Sequence, residues 1–364
     1  MPWSDDQARD EFAWLKLMAR LKYDGYRDFR AGMRFIESLA TWLQQFAAHH
    51  RETAYQFVRH ALVYIGPGEM QKLVEQFFPH TVRSHLKQLV ADQHHAPSYR
   101  VLVDPKLQDA LEVLQRKTLF MGLSDGARID TIRHANARHL NNEQVVQGTQ
   151  VDVDKWRDLL DNLRKDLSDP KARFQLVYLI DDFTATGTSF LRFDLKTKSW
   201  KGKLCRFKDS VDNANRSLQG DAVFVDDWRL CIHHYIASAN AAQAINQRLP
   251  KAIPSFGQTW ATDTSASFGT ILPPNLPIDH TSHPGFVALT NTYYDPVLRT
   301  KHTDIGGAKH LGLGYGACAL PVVLEHNTPN NSVALLWAET DGGSRENGVA
   351  PPMRPLFRRR HRHT

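Results

Sequence analysis

Apolar positions over roughly the first 95 residues recur at three- and four-residue steps, the spacing of helices with one buried face. Met33, Ile36, Leu39, Leu43 and Phe46 share such a face, and Phe57, Ala61 and Ile65 continue the pattern. Pro67 suits the first position of another helix, which would bury Met70, Leu73, Val74 and Phe77 and end at Pro79. The pattern changes near Ser98. Tyr99 to Val103 reads as a short extended run, and Pro105 to Lys117 returns to helical spacing through Leu107, Leu111 and Leu114. Thr118 to Leu123 is compact and apolar, as in a buried strand. Trp156, Leu159, Leu160 and Leu163 mark an amphipathic helix with Asp154 as its N-cap. Leu176 to Ile180 and Leu230 to Ile236 read as buried strands, the latter followed by an Ala-rich helix over Ala239 to Leu249. Ala319 to Glu325 reads as a fourth strand.

Buried strands alternating with helices predict an α/β fold, a parallel sheet covered by helices on both faces. The expected organisation is a helical N-terminal extension over residues 1–96, an α/β domain over 97–358 and a disordered basic tail over 359–364. Lys196 to Arg206 and the Gly202–Gly220 neighbourhood read as insertions between core elements. No internal repeat or low-complexity tract is visible.

Composition narrows the setting. The chain has 364 residues, 42% of them hydrophobic and 23% charged, enough apolar content for a sizeable core. Its apolar runs are too short for a membrane span, and the acidic opening Met1 to Asp6 lacks the basic-then-apolar pattern of a secretory signal. Cys205, Cys231 and Cys318 are widely spaced and odd in number, which suits a reducing cytoplasm better than a disulfide framework. The net charge of +6 suits phosphate-bearing ligands or nucleic acid without requiring either. Part of it lies in Arg354, Arg358, Arg359, Arg360, His361, Arg362 and His363, read as a solvated, frayed terminus in preference to a nucleic-acid arm.

The chemistry concentrates in Leu176-Val177-Tyr178-Leu179-Ile180-Asp181-Asp182-Phe183-Thr184-Ala185-Thr186-Gly187-Thr188-Ser189. A buried strand ends in two acids and passes through a hydroxyl-rich turn toward a helix. Open α/β sheets bind ligands at the carboxyl ends of their strands. The Thr186–Ser189 turn would offer hydroxyls and amides at a helix N-terminus, where phosphate is favoured, and Gly187 allows close approach. Asp181 and Asp182 can accept hydrogen bonds from vicinal hydroxyls. A phosphate cradle beside paired carboxylates is what a ribose 5-phosphate requires.

This segment resembles the fingerprint of type I phosphoribosyltransferases at Asp181, Asp182, Thr186, Gly187 and Ser189. The resemblance implies that the acids hold the ribose hydroxyls of phosphoribosyl pyrophosphate. Thr184, Ala185, Thr186, Gly187, Thr188 and Ser189 would surround the 5′-phosphate. Mg²⁺ would be reached by Asp181 and Asp182 only indirectly, through ribose hydroxyls or water. Purine-salvage members carry an aspartate at the position of Ala185, so that branch does not fit. The loop Gly122-Leu123-Ser124-Asp125-Gly126-Ala127-Arg128 follows the first core strand, where the family places its pyrophosphate loop. Ser124, Asp125 and Gly126 would contact the donor. Arg128 would act catalytically with the two acids, steadying the departing pyrophosphate. Arg133, His134, Arg138 and His139 read as a solvated helix face. The histidine pairs His233/His234 and His280/His283 complete no recognised metal set.

Taken whole, the chain resembles phosphoribosyltransferase-like proteins of bacterial conflict gene clusters, some of them retron-associated. That resemblance implies a cytoplasmic antiviral effector transferring phosphoribosyl to a nucleobase, nucleotide or macromolecule. The alternative is a non-catalytic sensor of the same donor. A neighbouring reverse transcriptase or DNA-binding protein is an expected partner, nucleic acid another, and a membrane is not.

Overall fold

The structure, a computed structural model, describes residues 1–218, 221–257, 260–301, 303–346 and 348–359. The chain forms two compact units, Gln71–Leu272 and a discontinuous one made of Met1–Met70 with Pro273–Thr364.

Gln71–Leu272 is built on a five-stranded sheet. Its strands are β1 (Thr118–Gly122), β2 (Val145–Val146), β3 (Phe174–Thr184), β4 (Phe224–Ser238) and β5 (Asp263–Leu272). They lie in the order β2-β1-β3-β4-β5, every pairing parallel. The helices are α1 (Pro105–Arg116), α2 (Val153–Leu167), α3 (Lys203–Ser217) and α4 (Ala239–Ala252). Side chains alternate across a strand, which sorts the sheet into two faces. On one, Leu119, Met121, Val177, Leu179 and Ile232 pack with Trp156 and Leu159 of α2, Leu204 and Phe207 of α3, and Ile245 of α4. On the other, the rings of Phe120 and Tyr178 stack at 5.7 Å, with Phe77 and Phe78 against them. The α/β expectation holds as a parallel sheet flanked by helices.

Several local expectations are corrected. Tyr99 to Val103 is not extended, because Ser98–Leu102 forms a 3₁₀ turn. Pro79 does not end its helix. The helix Pro67–Gln76 runs through a π-helical segment, Phe77–Val82, into the helix Arg83–Gln93. The wider π turn relaxes the i→i−4 pattern that a proline would otherwise break. Asp152, not Asp154, caps α2, its carboxylate accepting from Lys155 N at 2.7 Å. Gly202–Gly220 is not an insertion over its described part. Leu204, Phe207, Val211 and Ala214 bury one face of α3 in the core. The inserted segment is a two-stranded antiparallel hairpin, Arg192–Asp194 with Ser199–Lys201. Only Val322–Leu324 of the fourth anticipated strand pairs, and its partner is Val63–Ile65, outside the main sheet.

The division also departs from the boundary drawn between residues 96 and 97, since residues 71–96 group with the sheet and Pro273 onward with the N-terminal segment. That discontinuous unit has its own aromatic core, in which Phe357 stacks on Phe35 and meets Tyr23 and Tyr26. The terminus is therefore tied down through Arg359. Arg358 pairs with Glu339 at 3.1 Å and Arg359 lies over the Trp337 ring. The remainder of the basic tail, Arg360 to Thr364, lies outside the described residues. Among the described residues no helix is long and apolar enough to cross a membrane.

Candidate active site

Asp181 and Asp182 stand near the carboxyl end of β3, the central strand, and alternation sends their side chains to opposite faces. Asp181 is buried at 3% exposure. Ser124 Oγ donates to its Oδ1 and the Lys203 ammonium, at the start of α3, to its Oδ2. Burial pushes the Asp181 carboxyl above the usual carboxylate range, the Lys203 charge opposing and the neighbouring Asp182 charge reinforcing that shift. His234 of β4 is its register partner. Burial, with the Lys203 charge adding to it, pulls that imidazole down to about 3, so it stays neutral.

Asp182 is half-buried and faces the loop after β1. That loop leaves the sheet with Leu123 N donating to Ile180 O at 2.7 Å, then makes one 3₁₀ turn over Asp125–Ala127. Gly126 lies directly against the acid, and a Cβ built there would sit 2.1 Å from Asp182 Oδ2. A larger residue there would force the Asp182 carboxylate or the loop to shift. Arg128 follows in the left-handed region at φ 50°, a conformation uncommon for residues with a Cβ. Tyr235 fixes the loop by donating to Ala127 O at 3.0 Å. Burial raises its phenol well above normal; the nearby Arg128 charge opposes this, while Asp182 and Asp181 add to it. The pyrophosphate-loop candidates and the acid pair thus surround one tyrosine.

After β3 the chain turns tightly. Gly187 N donates to Thr184 Oγ1 at 3.2 Å, the hydroxyls of Thr186 and Thr188 are 2.8 Å apart, and Gly187 has φ +67°. A helix supports the turn from beneath. Arg248 of α4 donates to Thr186 O and Leu191 O, both at 3.0 Å, and Ser238, the N-cap of α4, donates to Ala185 O at 2.7 Å. Thr184, Ala185 and Gly187 are buried, whereas Thr186 and Thr188 are half-exposed and Ser189 exposed. Contrary to the sequence expectation, no helix starts at this turn. The hairpin intervenes, and the first amides of α3 are already spent, Lys203 N on Ser189 O and Leu204 N on Phe190 O, at 3.0 and 3.2 Å. The turn's own amides are partly engaged as well, Gly187 N on Thr184 Oγ1 and Thr188 N on Thr186 Oγ1, which leaves its hydroxyls as the groups nearest solvent.

Lys203, Tyr235, His234 and Arg248 were not anticipated. Lys203 carries no local signal beyond preceding the amphipathic spacing of α3, and the others come from strand and helix positions that read as ordinary core. Arg133 pairs with Asp130 at 3.0 Å, and His134, Arg138 and His139 are exposed, as a solvated surface requires. Among the described residues, no group of three or more His, Cys, Asp or Glu side chains could hold a metal ion.

The Gly126 loop lies against Asp182, which the Thr186–Ser189 turn follows in the chain, and both oxygens of Asp181 are engaged by the protein itself. A Mg²⁺ at these acids would therefore be held chiefly by ligand oxygens and water, since Asp182 Oδ1 also accepts from Phe183 N, at 2.8 Å. The PRTase-CE family matches residues 39–359. No curated protein and no solved structure is significantly similar to the chain. The match takes in the acid pair, the turn and the Gly126 loop and covers most of the sequence, so the chain belongs to PRTase-CE, a phosphoribosyltransferase-type family.

Proposed function

We propose that the site binds Mg²⁺-phosphoribosyl pyrophosphate and transfers its phosphoribosyl group to a nucleobase, nucleotide or macromolecular acceptor. The observation that carries this reading is the contact of Gly126 with Asp182, which brings the loop after β1 onto the acid that precedes the Thr186–Ser189 turn. In this reading Asp182 accepts hydrogen bonds from the ribose hydroxyls. Thr186, Thr188 and Ser189 hold the 5′-phosphate. Ser124 and Arg128 border the pyrophosphate end, and Arg128 favours the transition state by opposing charge that grows as the C1–oxygen bond breaks. Mg²⁺, when bound, would share in neutralising that charge. Asp181 acts from below, orienting Ser124 and Lys203. Ala185 offers no proton acceptor, so the acceptor either needs no base or meets one elsewhere.

The biological setting proposed is a cytoplasmic effector of bacterial antiviral defence, working with a reverse transcriptase or DNA-binding protein. The resemblance of the whole chain to conflict-system proteins supports it. A sensor that binds the donor without turnover is the second reading. It is favoured by the engagement of both Asp181 oxygens and by the small residue at position 185. Titration calorimetry with phosphoribosyl pyrophosphate and Mg²⁺, followed by a pyrophosphate-release assay with nucleotides or cell extract, separates the readings. Binding with release supports transfer, and binding without it supports sensing. Asp181→Asn/Asp182→Asn should abolish binding in both cases. Normal binding by that variant would refute the site.

A further inference from the structure

The hairpin between the turn and α3 does not belong to the sheet core, and its composition is unusual for a surface excursion. Residues 192–203 carry Arg192, Lys196, Lys198, Lys201 and Lys203 against one acid, Asp194. Asp194 is committed to the hairpin itself. It accepts from the amides of Lys196 and Thr197 and pairs with Lys201 at 2.6 Å, while Lys203 belongs to Asp181. Lys196 and Lys198 are exposed and form no ion pair among the described residues. Phe193 and Trp200 are cross-strand partners, so they share one face, with ring centroids 5.3 Å apart in an edge-to-face arrangement. Phe193 is 46% exposed and Leu195 84%. Arg192 donates to Thr188 O at 3.1 Å, and Lys203 N and Leu204 N close the other end onto Ser189 O and Phe190 O. The excursion is thus fastened at both ends to the turn assigned to the 5′-phosphate.

We propose that this hairpin is the acceptor-binding element and that the acceptor is single-stranded nucleic acid, an inference resting on the donor site described above. Phe193 is exposed and is backed by Trp200, which is half-buried against the core; an exposed ring gives a base a stacking surface, and cations beside it track a phosphate backbone. Phe193 and Leu195 lie open to solvent, which suits an extended strand better than a free nucleotide. A duplex hides its base faces and would gain only the charge term.

Fluorescence anisotropy of the full chain with labelled dT15 and rA15, across a salt series, tests this. Wild type should bind an oligonucleotide, and Phe193→Ala/Trp200→Ala should weaken it about tenfold or more, the scale of one lost stacking contact. Lys196→Ala/Lys198→Ala should reduce the log–log salt slope by about 1.4, at roughly 0.7 per phosphate contact on a single strand. Donor binding by calorimetry should be unchanged in both variants, which separates failure of the hairpin's role from failure of the donor site. The lysine variant alters only exposed side chains and guards against misfolding of the aromatic one. No binding of either oligonucleotide, binding indifferent to both variants, equal binding of duplex, or competition by AMP at equal concentration per nucleotide would each overturn the proposal.

Discussion

Two residues at the acid pair show how much depends on single atoms. Gly126 has no room for a methyl group beside Asp182, so Gly126→Ala must either push the loop away or turn the carboxylate from the ligand. We expect donor affinity to fall at least about tenfold, the effect of some 1.4 kcal/mol, and the urea midpoint to fall with it because Gly126 is buried. Calorimetry and urea unfolding on the same samples check both halves. Lys203 holds a buried charge in place. Lys203→Met strands the Asp181 carboxylate, and removing one member of such a pair costs about 3–5 kcal/mol. Lys203→Met/Asp181→Leu should recover most of it, and a double variant no more stable than the single one would sink the assignment. Asp181, Asp182 and the turn stood out in the sequence because five diagnostic residues fall within one nine-residue window. Lys203 was not, because it reaches Asp181 only after the hairpin has carried the chain out and back.

At the scale of elements, β4 carries a titration signature. Its consecutive histidines His233 and His234 are buried on opposite faces, and burial lowers both to about 3. Unfolding restores ordinary imidazoles near 6.5, so the unfolded chain binds more protons between those values. Their contribution to stability is therefore present above pH 6.5 and lost as pH falls toward 3. Urea midpoints should drop between pH 7 and pH 4.5, and His233→Gln/His234→Gln should flatten that decline. An equally steep decline in the variant would refute the neutral-burial account. The central strands were legible from sequence because burial on both faces demands continuous apolar runs such as Leu176–Ile180. The edge strand β5 was not, because Asp263-Thr264-Ser265-Ala266-Ser267 is small and polar. Those hydroxyls find partners inside the sheet, as Ser267 Oγ does 2.9 Å from His233 Nδ1.

For the molecule as a whole, periodicity could not tell which segments share a core. The discontinuous unit joins the first 70 residues to the last 92 or so, and nothing in either stretch announces the other. Phe357 is the test. It is fully buried among Tyr23, Tyr26, Phe29 and Phe35, far from it in sequence. Phe357→Ala should cost about 3–5 kcal/mol, read as a lower urea midpoint, where a frayed terminus would lose nothing. The hairpin has a different consequence at this scale. Its two ends meet at Ser189 and Lys203, so everything between them is a closed detour, and lengthening a detour costs only about 0.6 kcal/mol per doubling. Lineages could therefore exchange or enlarge it without disturbing the sheet. The proposed acceptor-binding element could then diversify while the acid pair and its turn stayed fixed.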